Sequence, residues 1–192
     1  MDEVDNIYVI NLDKDTERLE HFNKQVGDSF SYTRIKGVEP LEGNNYLNKG
    51  KLGCLSSHIL ILEDAIKNNY KNILIFEDDI ILKDSWENIK TAVNDLQYLK
   101  PTLLYLGCSQ HRWTRIKTLP GRNKENIEIN KNYYKCIRSY GSFAVIINNT
   151  IYETLLNLYN KKKIPIDECL VEYQLNNKNK CIVIYPNKVI AD

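Results

Sequence analysis

Short apolar runs alternate with amphipathic segments along the chain, and this alternation predicts an α/β fold. The apolar runs are rich in β-branched residues, as buried strands are, and helical spacing of apolar residues follows most of them. The predicted strands are residues 7–10, 30–35, 73–76, 103–106, 142–147 and 181–185. The predicted helices begin near residues 15, 57, 86, 151 and 165. Such alternation is typical of a mostly parallel central sheet with crossover helices.

Three acidic residues follow the most apolar of these strands. The run at 73–76 suits the middle of the sheet, where both faces are buried, and it ends at Glu77, Asp78 and Asp79. Ligands of open α/β sheets bind at the carboxyl ends of the strands, and adjacent like charges are costly without a compensating cation. Glu77 and Asp79 point to the same side of an extended segment, so the pattern favours Mg²⁺ or Mn²⁺. A solvated acidic turn has the same sequence.

The composition excludes several classes of function. A chain of 192 residues with 43% hydrophobic and 27% charged residues fits one globular domain, residues 1–192. The formal net charge of +1 provides no field toward nucleic acid. No apolar run approaches the roughly 18 residues that a membrane span needs, and the N-terminus lacks a signal-peptide pattern.

The cysteines bear on the cellular compartment. The five of them show no C-x-x-C spacing, which argues against both a disulfide framework and a zinc site. We therefore expect free thiols, and a protein of the cytoplasm or of another reducing compartment.

A long stretch with little regular pattern, residues 108–137, suggests a functional loop. It contains Trp113, flanked by Arg112 and Arg115. An aromatic side chain on such a loop can stack on a bound sugar or peptide, although burial of Trp113 in the core is an equally good interpretation. In that second case, we expect the site for such a ligand around Tyr140 and Ser142.

Four segments, in order and over nearly the whole chain, resemble motifs of glycosyltransferase family 25, which contains lipopolysaccharide galactosyltransferases and collagen hydroxylysine glycosyltransferases. The segments are YVINL at 8–12 followed by Arg18, GCLSSH at 53–58, IFEDDI at 75–80, and the aromatic strand at 140–147 followed by IPID at 164–167. The resemblance implies a GT-A fold, which is a single nucleotide-binding α/β domain with a divalent metal, and inverting transfer from a UDP-hexose. The tail at 185–192 matches the family's ending only in part.

The resemblance also assigns roles on the donor side. It implies that Asp79, with Glu77, holds Mn²⁺ or Mg²⁺, and that Asp78 contacts the ribose or a neighbouring amide. Asn11 and Leu12 would lie beside the nucleotide base and ribose. Arg18 offers a fork for phosphate, but a salt bridge with an acid of its own helix is as good an interpretation.

Ser57 and His58 lie at a predicted helix start. Ser56 or Ser57 can cap that helix. Alternatively, the free amides there, together with Ser57 and His58, contact the uridine or phosphates of the donor. His58 is not expected to bind metal, because no partner ligand lies four residues beyond it.

Asp167 follows Pro165 at the start of the last predicted helix, which it could simply cap. The resemblance favours Asp167 as the general base that deprotonates the acceptor hydroxyl, with Glu168 as the second choice.

The expected function is transfer of galactose or glucose from UDP-galactose or UDP-glucose to a hydroxyl group. The IPID segment and the tail resemble viral relatives of the collagen branch, so hydroxylysine or galactosyl-hydroxylysine of a collagen-like protein is the favoured acceptor. A lipopolysaccharide or oligosaccharide glycan is the alternative. Two rivals belong to other classes: a metal-dependent phosphohydrolase or nuclease that uses the same acids, and a non-catalytic UDP-sugar-binding domain.

Overall fold

A mixed sheet of eight strands forms the centre of the computed structural model, which describes residues 4–109, 126–130, 132–136, 138–177 and 179–192. The strands are β1 (Asn6–Asn11), β2 (Thr33–Lys36), β3 (Asn72–Glu77), β4 (Ile80–Leu82), β5 (Leu103–Tyr105), β6 (Asn126–Asn130), β7 (Tyr133–Cys136), β8 (Ala144–Asn148), β9 (Cys181–Ile184) and β10 (Val189–Ala191). The helices are α1 (Thr16–Val26), α2 (Lys49–Lys67), α3 (Trp86–Asn94), α4 (Tyr152–Tyr159) and α5 (Ile166–Asn176).

The strand order is β2-β1-β3-β8-β5-β9-β7-β6, and β4 pairs with β10 in a separate ladder. Within the sheet, β8 and β7 run antiparallel to their neighbours, while the other six strands share one direction. The predicted α/β architecture with a mostly parallel sheet is confirmed. Because β8 is reversed, the loop before it lies at the carboxyl end of β3, where the Glu77 amide donates to the Phe143 carbonyl oxygen at 3.0 Å.

Two hydrophobic layers hold the sheet between helices. Side chains alternate along a strand, and in β3 Ile73 and Ile75 face one layer while Leu74 and Phe76 face the other. The first layer contains apolar residues of α2, α4 and α5, and the second those of α1 and α3. Burial of β3 on both faces, as its apolar run predicts, fixes the position at which its acidic end emerges.

The start of α2 differs from the prediction. The helix begins at Lys49, and the side chain of Asn48 caps it by accepting from the Lys51 amide at 3.0 Å. A helix start at Ser56 or Ser57 is therefore wrong. Gly53 is required inside the helix because a Cβ there would clash with the Val38 carbonyl oxygen.

The irregular stretch at 108–137 contains strands that the sequence analysis missed. β6 and β7 form an antiparallel hairpin that extends the sheet through β9. Trp113, Arg112 and Arg115 lie outside the described residues, so their predicted contact with an acceptor stays a prediction. Across the described ranges, no helix combines the length and apolar character needed to cross a bilayer.

Candidate active site

A cavity of about 500 Å³ opens at the carboxyl ends of β1 and β3. Its walls come from the end of β1, the acidic segment after β3, the first turns of α2 and the loop at 37–40. This position is where a ligand of an open α/β sheet is expected. Seven of the residues singled out in the sequence line it: Asn11, Leu12, Arg18, Ser57, Glu77, Asp78 and Asp79.

Asn11 anchors the middle acid of the triplet. Its Nδ2 donates to an Asp78 carboxylate oxygen at 2.6 Å, and both side chains are buried. Its Oδ1 in turn accepts from Nε of Arg34 at 2.9 Å. Asp78 is thereby turned toward β1, and its predicted contact with a ribose stays a prediction.

Arg18 reaches the triplet from α1. Its Nη1 lies 3.5 Å from an oxygen of Asp78 and 3.5 Å from an oxygen of Asp79. Arg18 therefore faces the acids that follow β3. The alternative interpretation, a salt bridge with an acid of its own helix, does not describe this arrangement. The guanidinium remains more than half exposed, so it can still meet an anionic ligand in the cavity.

Asp79 has an oxygen that lacks a partner. Its Oδ1 is buried and forms no hydrogen bond to any described residue, while its Oδ2 faces Arg18. Desolvation raises the pKa of Asp79, and the nearby Arg18 guanidinium opposes the rise. An unpaired buried carboxylate oxygen is costly. A divalent cation that prefers oxygen ligands fits this atom.

Glu77 contacts the loop before β8. One of its carboxylate oxygens accepts from Oγ of Ser142 at 2.6 Å. Desolvation raises the pKa of Glu77 to about 7; the bond from Ser142 opposes this, and nearby Asp79 and Asp167 add to it. The extended segment on which the expected alternation of Glu77, Asp78 and Asp79 rested ends at Glu77, because the chain turns at 78–79. That Glu77 and Asp79 share a metal ion stays a prediction.

Asp167 faces the same loop. An oxygen of its carboxylate accepts from the Gly141 amide at 3.1 Å, and α5 has no side-chain cap bond at Pro165. Asp167 is therefore not the cap of its helix. Desolvation raises its pKa, and the nearby Gly141 amide, together with the amide and hydroxyl of Ser142, opposes the rise. Ser142 thus contacts both Glu77 and Asp167.

The other acceptor-side residues lie nearby. The Tyr140 hydroxyl donates to an oxygen of Glu168 at 3.4 Å, and Glu168 is exposed. Tyr140 and Ser142, predicted as alternative acceptor residues, are therefore brought together with Asp167 and Glu168. The same loop is supported by Gln174, which the sequence analysis missed.

Gln174 is fully buried, although it is polar. Its Oε1 accepts from the Ser139 amide at 2.8 Å, and its Nε2 donates to the Ser139 carbonyl oxygen at 2.9 Å and to the Tyr105 hydroxyl at 2.8 Å. These bonds fix the loop that carries Ser142 to α5. A glutamine on the apolar face of a helix is the sequence signal that could have revealed it.

His58 does not reach the cavity. It is fully buried inside α2, and desolvation lowers its pKa to about 4, so the ring is neutral. The predicted contact of His58 with a donor is therefore wrong. The hydroxyl of Ser57 lines the cavity but is used within the fold, since it accepts from the Val38 amide at 2.8 Å and donates to the Gly53 carbonyl oxygen at 2.9 Å.

The N-terminus of α2 still lies at the cavity. Lys49 and Gly50, in its first turn, line the wall. The free amides expected at a helix terminus thus belong to the turn after Asn48 and not to the one around Ser57.

The protein is a three-layer α/β fold with a cavity at the carboxyl edge of its sheet, where open α/β sheets bind their ligands. Two solved structures resemble it over most of this chain. One is a glycosyltransferase involved in the glycosylation of the major capsid of PBCV-1, with a TM-score of 0.57, 11% identity, and coverage of 93% of this chain and 79% of that one. The other is mannose-1-phosphate geranyltransferase from Thermus thermophilus, with a TM-score of 0.54, 9% identity, and coverage of 99% and 76%. These similarities concern the fold, and they confirm its GT-A-like class.

The chain belongs to glycosyltransferase family 25, described as LPS biosynthesis protein, whose sequence profile matches residues 4–170. It is 25% identical over 159 residues to the lipooligosaccharide biosynthesis protein lex-1 of Haemophilus influenzae, a match that covers 71% of this chain and 50% of that protein. It is 32% identical over 89 residues to the inactive glycosyltransferase 25 family member 3 of Mus musculus, a match that covers 43% of this chain and 15% of that protein. The chain thus spans half or less of the length of these curated relatives.

Proposed function

We propose that this chain is a metal-dependent, inverting hexosyltransferase that uses a UDP-sugar, UDP-galactose or UDP-glucose, as donor. The observation that carries the proposal is the contact of Ser142 with both Glu77 and Asp167. One hydroxyl thereby joins the acidic edge of a nucleotide-sized cavity to a buried carboxylate that can act as a base. Residues 1–192 would form one catalytic domain.

The donor would lie along the ends of β1 and β3. A cavity of about 500 Å³ is within the usual range for small-molecule sites. Asn11 and Leu12 would border the base and ribose, and Asp78, held by Asn11, would contact the ribose or a neighbouring amide. Arg18 would approach the diphosphate, because its exposed guanidinium is a permanently charged fork.

Asp79 would be the first ligand of Mn²⁺ or Mg²⁺. This assignment is supported by the buried Oδ1 of Asp79, which accepts no hydrogen bond from any residue that the structure describes. Glu77 would supply the second ligand from the oxygen that Ser142 does not occupy. The metal, when bound, neutralises the charge that builds on the diphosphate leaving group.

Asp167 would act as the general base. The acceptor hydroxyl would lose its proton to Asp167 as its oxygen bonds to the anomeric carbon and the bond to the diphosphate breaks. A base needs a pKa near the working pH. Desolvation shifts the pKa of Asp167 upward, toward neutral pH. Glu168, exposed beside Tyr140, is the second choice.

For the acceptor, a glycan of the lipooligosaccharide type is the better-supported proposal. The relative with the longer match is a lipooligosaccharide biosynthesis protein. The collagen-like acceptor favoured by the tail and the IPID segment has no such relative among those compared above. Collagen-type hydroxylysine therefore becomes the second acceptor to test, and Trp113, with Tyr140 and Ser142, would border either one.

The deciding experiment measures release of UDP from a panel of UDP-sugars with Mn²⁺, with and without oligosaccharide and hydroxylysine-peptide acceptors. The proposal expects release from one UDP-hexose that increases several-fold with a matching acceptor. Phosphate release from many nucleotides without an acceptor would instead identify a phosphohydrolase. UDP binding without turnover would identify a non-catalytic domain, a real rival because one relative is called inactive.

A further inference from the structure

Three side chains with metal-binding atoms meet at and just beneath the wall of the cavity. They are Cys54 and His58 of α2 and Glu77 at the end of β3, and their ligand atoms all lie within 4.8 Å of one another. Cys54 and His58 are four positions apart, so they occupy one face of the helix on successive turns. The end of β3 packs against that face and brings Glu77 to the pair.

The imidazole of His58 is a second observation that points to a ligand at this place. The ring is fully buried, and neither Nδ1 nor Nε2 has a hydrogen-bond partner within the described part of the chain. A buried polar group without a partner is costly. Its ring lies in contact range of a thiol and a carboxylate that are themselves ligand types, so a cation shared by the three would satisfy one nitrogen.

We propose that Cys54, His58 and Glu77 form a site for Zn²⁺. One sulfur, one imidazole nitrogen and one carboxylate oxygen are the ligands that zinc accepts together, whereas Mn²⁺ and Mg²⁺ favour oxygen. Tetrahedral zinc, with bonds of about 2.0–2.3 Å, holds its ligand atoms roughly 3.3–3.8 Å apart. The three atoms would therefore draw together by about 1 Å, which rotation of the side chains can supply.

Three protein ligands leave the fourth position of the metal open. Cys54 and Glu77 line the cavity while His58 lies behind them, so the open position faces the cavity and admits water or a ligand atom. Binding converts the Cys54 thiol to a thiolate and releases its proton to solvent, so the affinity increases with pH. The absence of C-x-x-C spacing argues against zinc only when the ligands come from one short segment. Here a helix turn and a distant strand supply them.

The site is distinct from the oxygen site proposed at Asp79, but Glu77 belongs to both. Zinc bound by Glu77 would withdraw that carboxylate from Mn²⁺. Binding of zinc can be measured without a nucleotide or an acceptor. A failure of the zinc site is therefore distinguishable from a failure of the proposed transferase activity.

The test titrates the chelator-treated protein with Co²⁺, a spectroscopic substitute for Zn²⁺. We expect one equivalent to produce the intense visible bands of tetrahedral cobalt and a thiolate-to-cobalt charge-transfer band, and Zn²⁺ to abolish both. Cys54→Ala should lose the charge-transfer band and bind Zn²⁺ at least ~10-fold more weakly. The matched control, Cys181→Ala, removes another buried free thiol and should keep both properties.

Thermal unfolding gives a second measurement that does not depend on a spectrum. Zn²⁺ should raise the Tm of the wild type and of Cys181→Ala, but not that of His58→Gln. If Cys54→Ala fails to fold, His58→Gln decides by its loss of tight zinc binding. The proposal is overturned if the wild type shows no charge-transfer band, if the band persists in Cys54→Ala, or if Cys181→Ala loses it.

Discussion

The Ser142 hydroxyl donates a hydrogen bond to the Glu77 carboxylate, with 2.6 Å between the two oxygen atoms. This bond opposes the rise in the pKa of Glu77 that desolvation causes. Ser142→Ala should therefore raise that pKa further above about 7. If ionised Glu77 helps to hold the metal, the acidic limb of Mn²⁺-dependent UDP binding should move to higher pH. Calorimetric titration of UDP across neutral pH measures this limb.

Ser85→Ala is the matched control for Ser142→Ala. Ser85 caps α3 by accepting from the Asn88 amide, so its loss should cost about 1 kcal/mol of folding free energy without moving the acidic limb. An unchanged limb in Ser142→Ala would show that this hydrogen bond does not control the ionisation of Glu77.

The stability of the metal-free protein should depend on pH through Glu77. Because the pKa is raised from 4.5 to about 7, the folded protein holds this proton more tightly than the unfolded chain does. The resulting stabilisation is fully present below pH 4.5 and is lost as the pH rises through about 7. The side chain of Glu77→Gln stays neutral at every pH. The unfolding free energy of the wild type minus that of Glu77→Gln should therefore fall between pH 4.5 and about 7, by on the order of 3 kcal/mol.

Urea denaturation of the two proteins at several pH values, with chelator present, measures that difference. The pKa of His58, which burial lowers to about 4, also makes the stability of both proteins depend on pH, so the comparison rests on the difference between their two profiles. Parallel pH profiles for the wild type and Glu77→Gln would contradict the expectation.

Asp79→Ala tests the proposed metal ligand. The variant should lose the gain in UDP affinity that Mn²⁺ gives, as measured by titration calorimetry with and without the metal. Its Tm should not fall, because the substitution removes one of several clustered like charges. Asp13→Ala removes an exposed acid that pairs with Arg34 and Lys36, and it should keep the effect of the metal. Persistence of that effect in Asp79→Ala would assign the ligand elsewhere.

Asp167→Asn tests the proposed base. Asparagine still offers an oxygen to the Gly141 amide, so the loop should keep its position, but it cannot take up the acceptor's proton. We expect kcat to fall by ~10²-fold or more, with the donor Kd nearly unchanged. Glu168→Gln is the control. A larger loss in the control would make Glu168 the base, and a loss of Tm with preserved kcat would make the role of Asp167 structural.

Gln174→Leu tests the support of the loop. The change leaves the Ser139 amide and carbonyl and the Tyr105 hydroxyl without their partner, and such buried groups are costly. The free energy of unfolding should fall by about 3 kcal/mol in urea denaturation. Asn176→Ala removes an exposed hydrogen bond of the same helix and should cost far less. Equal losses in the two variants would indicate a general effect on α5.

The long apolar runs predicted the sheet well, because burial on both faces leaves a continuous signal in the sequence. The run before Glu77 therefore placed the acids at the ligand edge of β3. The three-residue strands β4 and β10 carry too few positions for any periodicity. The start of α2 was missed because Gly53 is needed for a close approach to the Val38 carbonyl oxygen, which only the tertiary structure shows.

The directions of the site side chains were less predictable than their positions. Alternation holds only inside a strand, and the turn at 78–79 sends Asp79 to Arg18 and leaves Glu77 facing Ser142. His58 lies in helical register with the buried Leu55, Leu62 and Ala65, but this pattern predicts its burial only when the helix is known to begin well before it. The burial of Gln174 could have been predicted, because this polar residue lies one helical turn after Leu170 on the buried face of α5.

The reversed direction of β8 has a consequence for how such an enzyme can change its specificity. The segments after β1 and β3 and the loop before β8 all reach one edge of the sheet, but they belong to separate stretches of the chain. Insertions or substitutions at 138–141 can reshape one half of the site while the strand ends that form the other half stay in place. On the proposed assignment of this loop to the acceptor, substitutions there that retain Ser142 would alter acceptor recognition and leave donor recognition in place.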